Sequence, residues 1–397
     1  MQSPARAPAT PAEGEPPQRT TMRIAMLLHK SVVHDTRVRR EAGALAAAGH
    51  EVTVAHLPPA AEPEPGGLPF DLTPATLGRS RGRLPRPLRL GTEATRLALR
   101  AAACRPDAIH AHDAAMLLPG LLAARRAGAR LVYDSHELAT GVPYRSGAWA
   151  AVVAGAERLG VPRADAVIAV SDGIAAELQE RYGLHERPTV VRNLPDLPPP
   201  GAAPAPDLRR ELGLGDAPLL LHQGAAAAGR GCETLLRALA LLPGPHLLFL
   251  GAAGPDAARL GAVAEGCGVA ARTHFAGPVP PEALLSHTAQ ADVGVSLLED
   301  SCDNHRLALP NKLFEYVAAG LPVVVSDLPE AARLVRERRI GYPADPADPG
   351  SVAAALRTAL AQRSDEGLRG RLAEAGAELS WEREKRRLLA VYDGLAR

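Results

Sequence analysis

The sequence predicts an α/β protein built from two domains with parallel sheets. Apolar segments of strand length alternate with helical patterns along most of the chain, which is typical of βαβ units. The alternation is interrupted at residues 193–206, a proline-rich stretch that can continue neither a sheet nor a helix. A chain of 397 residues is also long enough for two or three domains, each with a buried core.

The predicted strands fall into two groups, one in each half of the chain, and each strand is a short run of mainly apolar residues. Those of the first group are residues 22–28, 51–57, 107–111, 130–134 and 165–170. Those of the second group are residues 218–222, 246–251, 272–276, 291–298 and 321–326.

These patterns divide the chain into five parts. Residues 1–21 are rich in Pro and Ala and predict a disordered leader rather than a signal peptide. A first domain (22–192), a linker (193–206) and a second domain (207–378) follow. Residues 379–397 predict a terminal helix with an apolar face.

Composition excludes several classes of protein. The formal net charge of +1 argues against nucleic acid as the main partner. The four cysteines are scattered without a Cys-x-x-Cys pair, which favours a reduced cytoplasmic protein over a disulfide framework or a zinc site. No apolar run is long enough to span a bilayer. No glycine-rich fingerprint of an ATPase or a dehydrogenase occurs.

The segment 309–327 is the most informative one. Pro310 suits a first helical position and Gly320 suits a helix end, so a short helix is predicted between them. The helix start is an anion site, and Glu315 is aimed back toward it because helical side chains lean toward the N-terminus. A carboxylate there accepts hydrogen bonds from a diol, so the pair suits a nucleotide with its diphosphate on the helix and its ribose on Glu315. A solvated Glu315 is the alternative.

With its Pro-Asn-Lys-Leu-Phe-Glu-Tyr motif, this segment resembles the donor-site helix of one subgroup of the family 4 retaining glycosyltransferases. The resemblance implies the GT-B fold, in which two Rossmann-like domains face each other across a cleft. It implies sugar transfer, with retention, from a nucleotide sugar bound by the second domain to a glycan, lipid-linked or small-molecule acceptor held by the first. It implies no metal and no cofactor, and a terminal helix that packs back on the first domain. Leu307 departs from the family, which usually has a Glu facing the donor sugar there.

The resemblance also implies a donor site. Arg230 matches a Lys that contacts the donor diphosphate, whereas Ala225 stands where the family usually has an Arg. Lys312 is the candidate for the missing charge, and Arg230 with Glu315 is expected to be catalytically important. The expected donor-binding residues are Gly224, Arg230, Pro310, Asn311, Lys312, Leu313 and Glu315.

The first domain offers polar residues at predicted strand ends, where ligands of open α/β sheets bind. His112 resembles the family's active-site His near the donor sugar, with a packed or capping His as the alternative. Asp113, Asp134, His136 and Glu137 are candidates for the acceptor or the cleft, although Asp134 or Ser135 could instead cap a helix.

The loop after the first strand contributes two further candidates. Asp35 is expected to cap a helix, and Arg37 faces either the cleft or solvent.

A basic stretch from Arg79 to Arg100 has interleaved leucines and could meet an anionic membrane or a phosphorylated acceptor. The prolines at 85 and 87 favour a solvated loop followed by an ordinary helix instead. A cytoplasmic protein is therefore expected, with peripheral contact at the inner face of the membrane as the alternative. A non-catalytic partner subunit and a sugar-nucleotide epimerase of the same fold are the rival functions.

Overall fold

The computed structural model describes residues 20–33, 35–57, 67–74, 86–142, 147–196 and 207–396, without the side chains of 73–74, 86–90 and 148. The first half forms a parallel sheet in the order β3-β2-β1-β4-β5-β6-β7. Its strands are β1 (Arg23–Leu28), β2 (Glu51–His56), β3 (Asp71–Pro74), β4 (Ala108–His112), β5 (Arg130–Ser135), β6 (Ala166–Ala169) and β7 (Thr189–Val190). Its helices are α1 (Thr36–Ala47), α2 (Arg86–Ala103), α3 (Asp113–Ala127), α4 (Ala148–Gly160) and α5 (Asp172–Tyr182).

The second half forms another parallel sheet, in the order β10-β9-β8-β11-β12-β13. Its strands are β8 (Leu219–Gln223), β9 (His246–Leu250), β10 (Thr273–Ala276), β11 (Val293–Ser296), β12 (Val323–Ser326) and β13 (Gly341–Ala344). The helices of this half are α6 (Leu208–Glu211), α7 (Cys232–Ala240), α8 (Gly254–Gly266), α9 (Pro281–Thr288), α10 (Asp303–Leu307), α11 (Asn311–Ala318), α12 (Pro329–Arg338), α13 (Pro349–Gln362), α14 (Glu366–Glu378) and α15 (Trp381–Leu395).

Both sheets are covered by helices, which explains why their central strands are almost continuously apolar. The strand order reverses between β1 and β4 in the first sheet and between β8 and β11 in the second. Such reversal points leave a crevice at the carboxyl ends of the strands, where ligands bind. The two-domain α/β prediction is therefore confirmed.

All ten predicted strands are present, with bounds that differ by at most two residues. The strands that were not predicted are β3, β7 and β13, which are three of the four edge strands of the two sheets. Their sequences, DLTP, TV and GYPA, are short, and two of them contain proline. Proline is tolerated at a sheet edge but weakens a strand pattern in the sequence.

The terminal helix α15 packs on the first sheet and not on the second. Trp381, Leu388, Leu389 and Tyr392 belong to the same apolar cluster as β1 and α1. The Tyr392 hydroxyl group lies 2.8 Å from Nδ1 of the buried His110 on β4.

Helix α10 of the second half docks on the first half through backbone hydrogen bonds. The Leu138 N–H donates to Oδ1 of Asn304 at 2.8 Å, and the Asn304 N–H donates to the Gly141 carbonyl at 3.1 Å. A Cβ at Gly141 would lie 2.9 Å from the Asn304 nitrogen. Only glycine therefore allows this close approach.

Residues 1–19 of the predicted leader lie outside the described residues. Residues 197–206 of the predicted linker also lie outside them. Arg79, Arg81 and Arg83 of the basic stretch also lie outside them. Across the ranges that the structure does describe, none of the helices combines the length and the apolar character needed to cross a membrane.

Candidate functional site: a cleft between the two sheets

A cavity of about 600 Å³ lies between the two halves of the chain. Residues from the loops after β1 and β5 form one wall, and the ends of β8 and β9 with the start of α11 form the other. Of the residues expected in the site, those that line the cavity are Asp35, Arg37, His136, Glu137, Gly224, Arg230, Pro310, Asn311, Lys312 and Glu315.

Glu315 is fixed in the second wall by the end of β8. Its carboxylate accepts a short hydrogen bond from Nε2 of Gln223, whose Oε1 accepts one from the Thr288 hydroxyl group at 2.9 Å. Burial raises the pKa of Glu315, and the hydrogen bond from Gln223 opposes that shift. Glu315 is thus a half-buried acceptor held toward the cavity, not a freely solvated helix residue.

The start of α11 differs by one residue from the prediction. Pro310 is the N-cap residue, with φ −62° and ψ 135°, and the helix begins at Asn311. Gly320 has φ +77° just after the helix, as expected for a residue that ends one.

Two cations lie beside this helix start. Arg230 and Lys312 both line the cavity, and Nζ of Lys312 lies 3.1 Å from Nε2 of His222. Burial and the charge of Arg230 lower the pKa of Lys312 to about 8. Burial and Lys312 lower the pKa of His222, so the imidazole is neutral and accepts a hydrogen bond from the ammonium group. The two cations and the helix start form one positive region at the end of the cavity.

Two residues of the predicted donor site are turned away from it. Leu313 is fully buried in the core of the second sheet, because it lies on the apolar face of α11. Leu307, at the position expected to face the donor sugar, packs on the apolar cluster of Ile174 and Leu138 in the first half. Its carbonyl group accepts a hydrogen bond from the Ser171 hydroxyl group at 2.6 Å. The expectations for both residues are therefore wrong.

The Arg37–Asp134 pair favours the cleft over solvent for Arg37, which lines the cavity, and corrects the expectations for Asp134. Arg37 is not a solvent-facing residue, since only 3% of it is exposed, and it donates to both carboxylate oxygens of Asp134 at 2.8 and 2.7 Å. Asp134 is fully buried, so it neither faces an acceptor nor caps a helix. Burial would raise the pKa of Asp134, but Arg37, His136 and the hydrogen bonds from the two histidines together hold that pKa well below its ordinary value. Ser135 donates to the Glu137 carbonyl and caps no helix either.

His112 ends β4 as predicted, but it is fully buried and does not reach the cavity. Its Nδ1 lies 3.2 Å from Oδ2 of Asp134 and 3.1 Å from Nε2 of His136. His136 is the histidine that lines the cavity. Burial would lower the pKa of His136, but Asp113 and Asp134 outweigh it and raise that pKa to about 9. The first wall therefore carries an imidazolium cation in front of a neutral His112.

The remaining first-wall candidates are grouped around this histidine. Asp35 caps α1 as predicted, accepting from the Val38 N–H at 3.0 Å, and it pairs with Lys30 at 2.9 Å. Although burial favours the neutral acid, His136 and Lys30 lower the pKa of Asp35 to about 2. Asp113 has φ +63° and lies behind the cavity wall, 3.5 Å from Nδ1 of His136.

One buried group in the described part of the chain has the residue types and spacing of a metal site. Ligand atoms of Glu41, His110, His112 and Asp134 lie within 4.8 Å of one another. The Arg37 guanidinium lies 2.7 Å from Asp134 and 3.0 Å from Glu41, however, so a cation already balances the Asp134 carboxylate. Burial raises the pKa of Glu41 to about 8, which leaves that group mostly neutral at pH 7. A divalent ion would add charge to this fully buried group, which is unfavourable.

The sequence analysis missed the residues that position others, above all His222 and Gln223. They are the last residues of β8, and each holds one functional side chain of α11. The signal that found His112, a polar residue at a strand's carboxyl end, applies equally to this pair.

Two family models match the chain in succession. Residues 35–197 match the model described as Glycosyltransferase Family 4, and residues 217–362 match the model described as Glycosyl transferases group 1. Residues 35–197 therefore correspond to a family 4 glycosyltransferase domain, and residues 217–362 to a group 1 domain. Together with the two facing sheets, these domains define a protein of the GT-B glycosyltransferase fold.

Two relatives of known name are similar to parts of the chain. The lipopolysaccharide core biosynthesis glycosyltransferase LpsE of Rhizobium meliloti is 32% identical over 41% of the chain and 44% of its own length. The D-inositol 3-phosphate glycosyltransferase of Corynebacterium urealyticum is 30% identical over 59% of the chain and 58% of its own length. The chain thus spans about half the length of these relatives.

Solved structures share the fold over nearly the whole chain. The sucrose-phosphate synthase of Thermosynechococcus elongatus has a TM-score of 0.78 at 21% identity, covering 94% of this chain and 99% of that one. Anabaena Alr3699/HepE, solved with UDP and glucose, has a TM-score of 0.73 at 17% identity, covering 94% and 100%.

Proposed function

We propose that this protein is a retaining glycosyltransferase that moves a sugar from a nucleotide sugar to an acceptor bound in the cleft. The observation that carries the proposal is the arrangement around α11. Arg230 and Lys312 stand beside the helix start, and the Glu315 carboxylate lies one turn further along. This is the order of charges that a nucleoside diphosphate needs, with a diphosphate at one end and a ribose diol at the other.

The two cations have a chemical role as well as a binding role. Negative charge grows on the diphosphate as the bond to the sugar breaks, so fixed cations stabilise the transition state more than the bound donor. Arg230 offers a planar guanidinium that can hold two phosphate oxygens at once. Lys312 adds a second positive charge to the cavity, which Ala225 also lines.

We propose a uridine nucleotide as the first donor to test, because HepE binds UDP and UDP-glucose. The acceptor binds against the first wall, which carries both basic and acidic side chains, namely Lys30, Asp35, His136 and Glu137. That wall suits a polar acceptor, either a glycan or the head of a lipid-linked intermediate. One of the two relatives is named for lipopolysaccharide core biosynthesis and the other for D-inositol 3-phosphate, which is a polar compound.

Retention rests on the Pro-Asn-Lys-Leu-Phe-Glu-Tyr motif and its resemblance to the retaining family. In such a transfer the leaving diphosphate itself takes the acceptor proton, so the protein needs no strong nucleophile beside the sugar. His136 and the buried network behind it fix the shape and charge of that side of the cleft. No metal or cofactor is part of this proposal.

The test is a calorimetric titration of the purified protein with UDP, GDP, dTDP and ADP, followed by turnover of the matching nucleotide sugars. Specific binding of one nucleotide, with release of that nucleotide only when acceptor is present, is expected. Binding without turnover toward any acceptor would favour a non-catalytic partner subunit. Conversion of the donor without an acceptor would favour an epimerase or a hydrolase. NMR of the product gives the anomeric configuration.

A further inference from the structure

The exposed apolar residues of this protein are concentrated on one face. Six large apolar side chains are exposed among the described residues, and five of them lie on α2, α3 and α4. Their exposed fractions are 39% for Leu99, 44% for Leu122, 45% for Trp149, 57% for Val152 and 47% for Leu159. Helix α2 packs beside α3, and α3 packs beside α4, so the outer surfaces of the three helices adjoin one another.

The same face is strongly basic although the chain has a net charge of only +1. Five arginines on the three helices are exposed, namely Arg96, Arg100, Arg125, Arg126 and Arg158. The carboxylates of these helices do not balance them. Glu157 is fully buried against two tyrosines, Asp113 faces His136, and Glu93 is half-buried.

We propose that this α2–α4 face docks on an anionic lipid surface, with Trp149 and Val152 inserted among the head groups. Exposed apolar side chains between arginines are the composition of interfacial helices, whose apolar face enters the lipid while the cations stay at the phosphates. Trp prefers that depth because its ring is amphipathic. A second copy of the chain fits poorly, because a two-fold contact would place the arginines of one face against those of the other.

The proposal does not depend on glycosyl transfer, since none of these residues lines the cleft. Vesicles of phosphatidylcholine with phosphatidylglycerol should sediment the full-length protein at low salt. Vesicles of phosphatidylcholine alone should not, and binding should fade as added salt screens the arginines. Trp149 is one of two tryptophans, and the other, Trp381, is only 6% exposed. Binding should therefore shift tryptophan emission to the blue, and Trp149→Phe should remove most of that shift.

Matched variants make the test specific. Val152→Asp should weaken vesicle binding at least about tenfold, because it places a carboxylate at the inserted surface. Leu241→Asp is its control, since Leu241 is 53% exposed but lies at the end of α7 in the second half. Arg125→Gln with Arg126→Gln should weaken binding about thirtyfold, at roughly fivefold per lost arginine. Arg357→Gln with Arg369→Gln, exposed arginines of the second half, should have no effect.

Circular dichroism and nucleotide affinity should be unchanged in all these variants, which separates loss of docking from loss of fold or of donor binding. Equal binding to both kinds of vesicle would overturn the proposal, as would equal losses in Val152→Asp and Leu241→Asp. A concentration-dependent dimer that Val152→Asp disrupts, with no vesicle binding, would assign the face to a second copy and would also overturn it.

Discussion

Lys312 Nζ lies 3.1 Å from Nε2 of His222, so a neutral imidazole holds a cation at the start of α11. The ammonium group is largely buried, and its burial and Arg230 bring its pKa down to about 8. Its charge is thus more easily lost than that of an ordinary lysine. A bound diphosphate would restore it, because an opposite charge at close range favours the ionised form.

We therefore expect donor nucleotide affinity to depend on pH above neutrality. Below pH 8 Lys312 is charged in the free protein, and affinity should be constant. Above pH 8 it must take up a proton to bind, so affinity should fall by up to about tenfold per pH unit. Calorimetry of UDP at pH 8.5, in two buffers of different ionisation enthalpy, should show proton uptake.

The control for this pH dependence is Lys312→Met, which should bind more weakly with a flat profile between pH 7 and 8.5. His136 lies on the opposite wall and has a pKa of about 9, so its own effect should appear about one unit higher. A profile that is the same in Lys312→Met and in the parent would remove Lys312 from the diphosphate site.

Glu315→Gln should weaken donor binding by about 2 kcal/mol or more, because a charged acceptor of two hydroxyl groups is lost. The measurement that isolates the ribose is a comparison of UDP with 2′-deoxy-UDP. The parent should prefer UDP about tenfold or more, and the variant should lose most of that preference. An unchanged preference in the variant would mean that Glu315 does not contact the ribose.

Arg230→Ala should lower kcat more than it weakens donor binding. Charge builds up on the leaving diphosphate in the transition state, so a cation placed there contributes most at that point. Steady-state kinetics with the preferred donor, together with calorimetric affinity, give the two effects separately. A change confined to KM would instead show that Arg230 only binds the ground state of the donor.

Long central strands were predictable because they are buried on both faces and read as unbroken apolar runs. Polar residues at strand ends were also readable, which is why His136 was predicted as a cleft residue. Arg230 and Glu315 were predicted from the resemblance to the family 4 glycosyltransferases. The sequence alone does not show which way a given side chain points in the folded protein. Leu307 was assigned by its spacing from Glu315, yet α10 turns it onto Ile174 of the other half. Packing between distant segments decides that orientation, and no local pattern records it.

The same reason explains why the Arg37–Asp134 pair was not predicted from the sequence. The two residues are 97 positions apart, and each looks like a cleft residue in its own segment. Only the adjacency of β1 and β4, and of β4 and β5, brings α1 and the end of β5 together. A polar residue at a strand end can then serve the site by supporting another residue, as Asp134 does for His112 and His136.

Arg37→Met should lower the free energy of unfolding by about 3–5 kcal/mol, because it leaves the Asp134 carboxylate buried without its guanidinium partner. Glu41 adds little to this loss at pH 7, since burial raises its pKa to about 8. Arg39→Met is the matched control on the same helix. Arg39 is exposed, so its replacement should change stability by about 0.5 kcal/mol or less. Urea unfolding of the three proteins at pH 7 provides the comparison.

The difference in the free energy of unfolding between the parent and Arg37→Met should depend on pH, and this dependence tests whether the lost cation is its cause. In the parent, Arg37 helps to hold the pKa of Asp134 well below its ordinary value, so the stability it contributes is present above about pH 4 and is lost only at lower pH. In Arg37→Met the burial of Asp134 is opposed only by His136 and by the hydrogen bonds from His112 and His136, so the pKa of Asp134 should rise. The variant should then be stabilised relative to the parent as pH falls from 7 to 5, since protonation removes the buried charge. A difference between parent and variant that stays constant over this range would mean that lost packing, not the unpaired Asp134 carboxylate, accounts for the destabilisation.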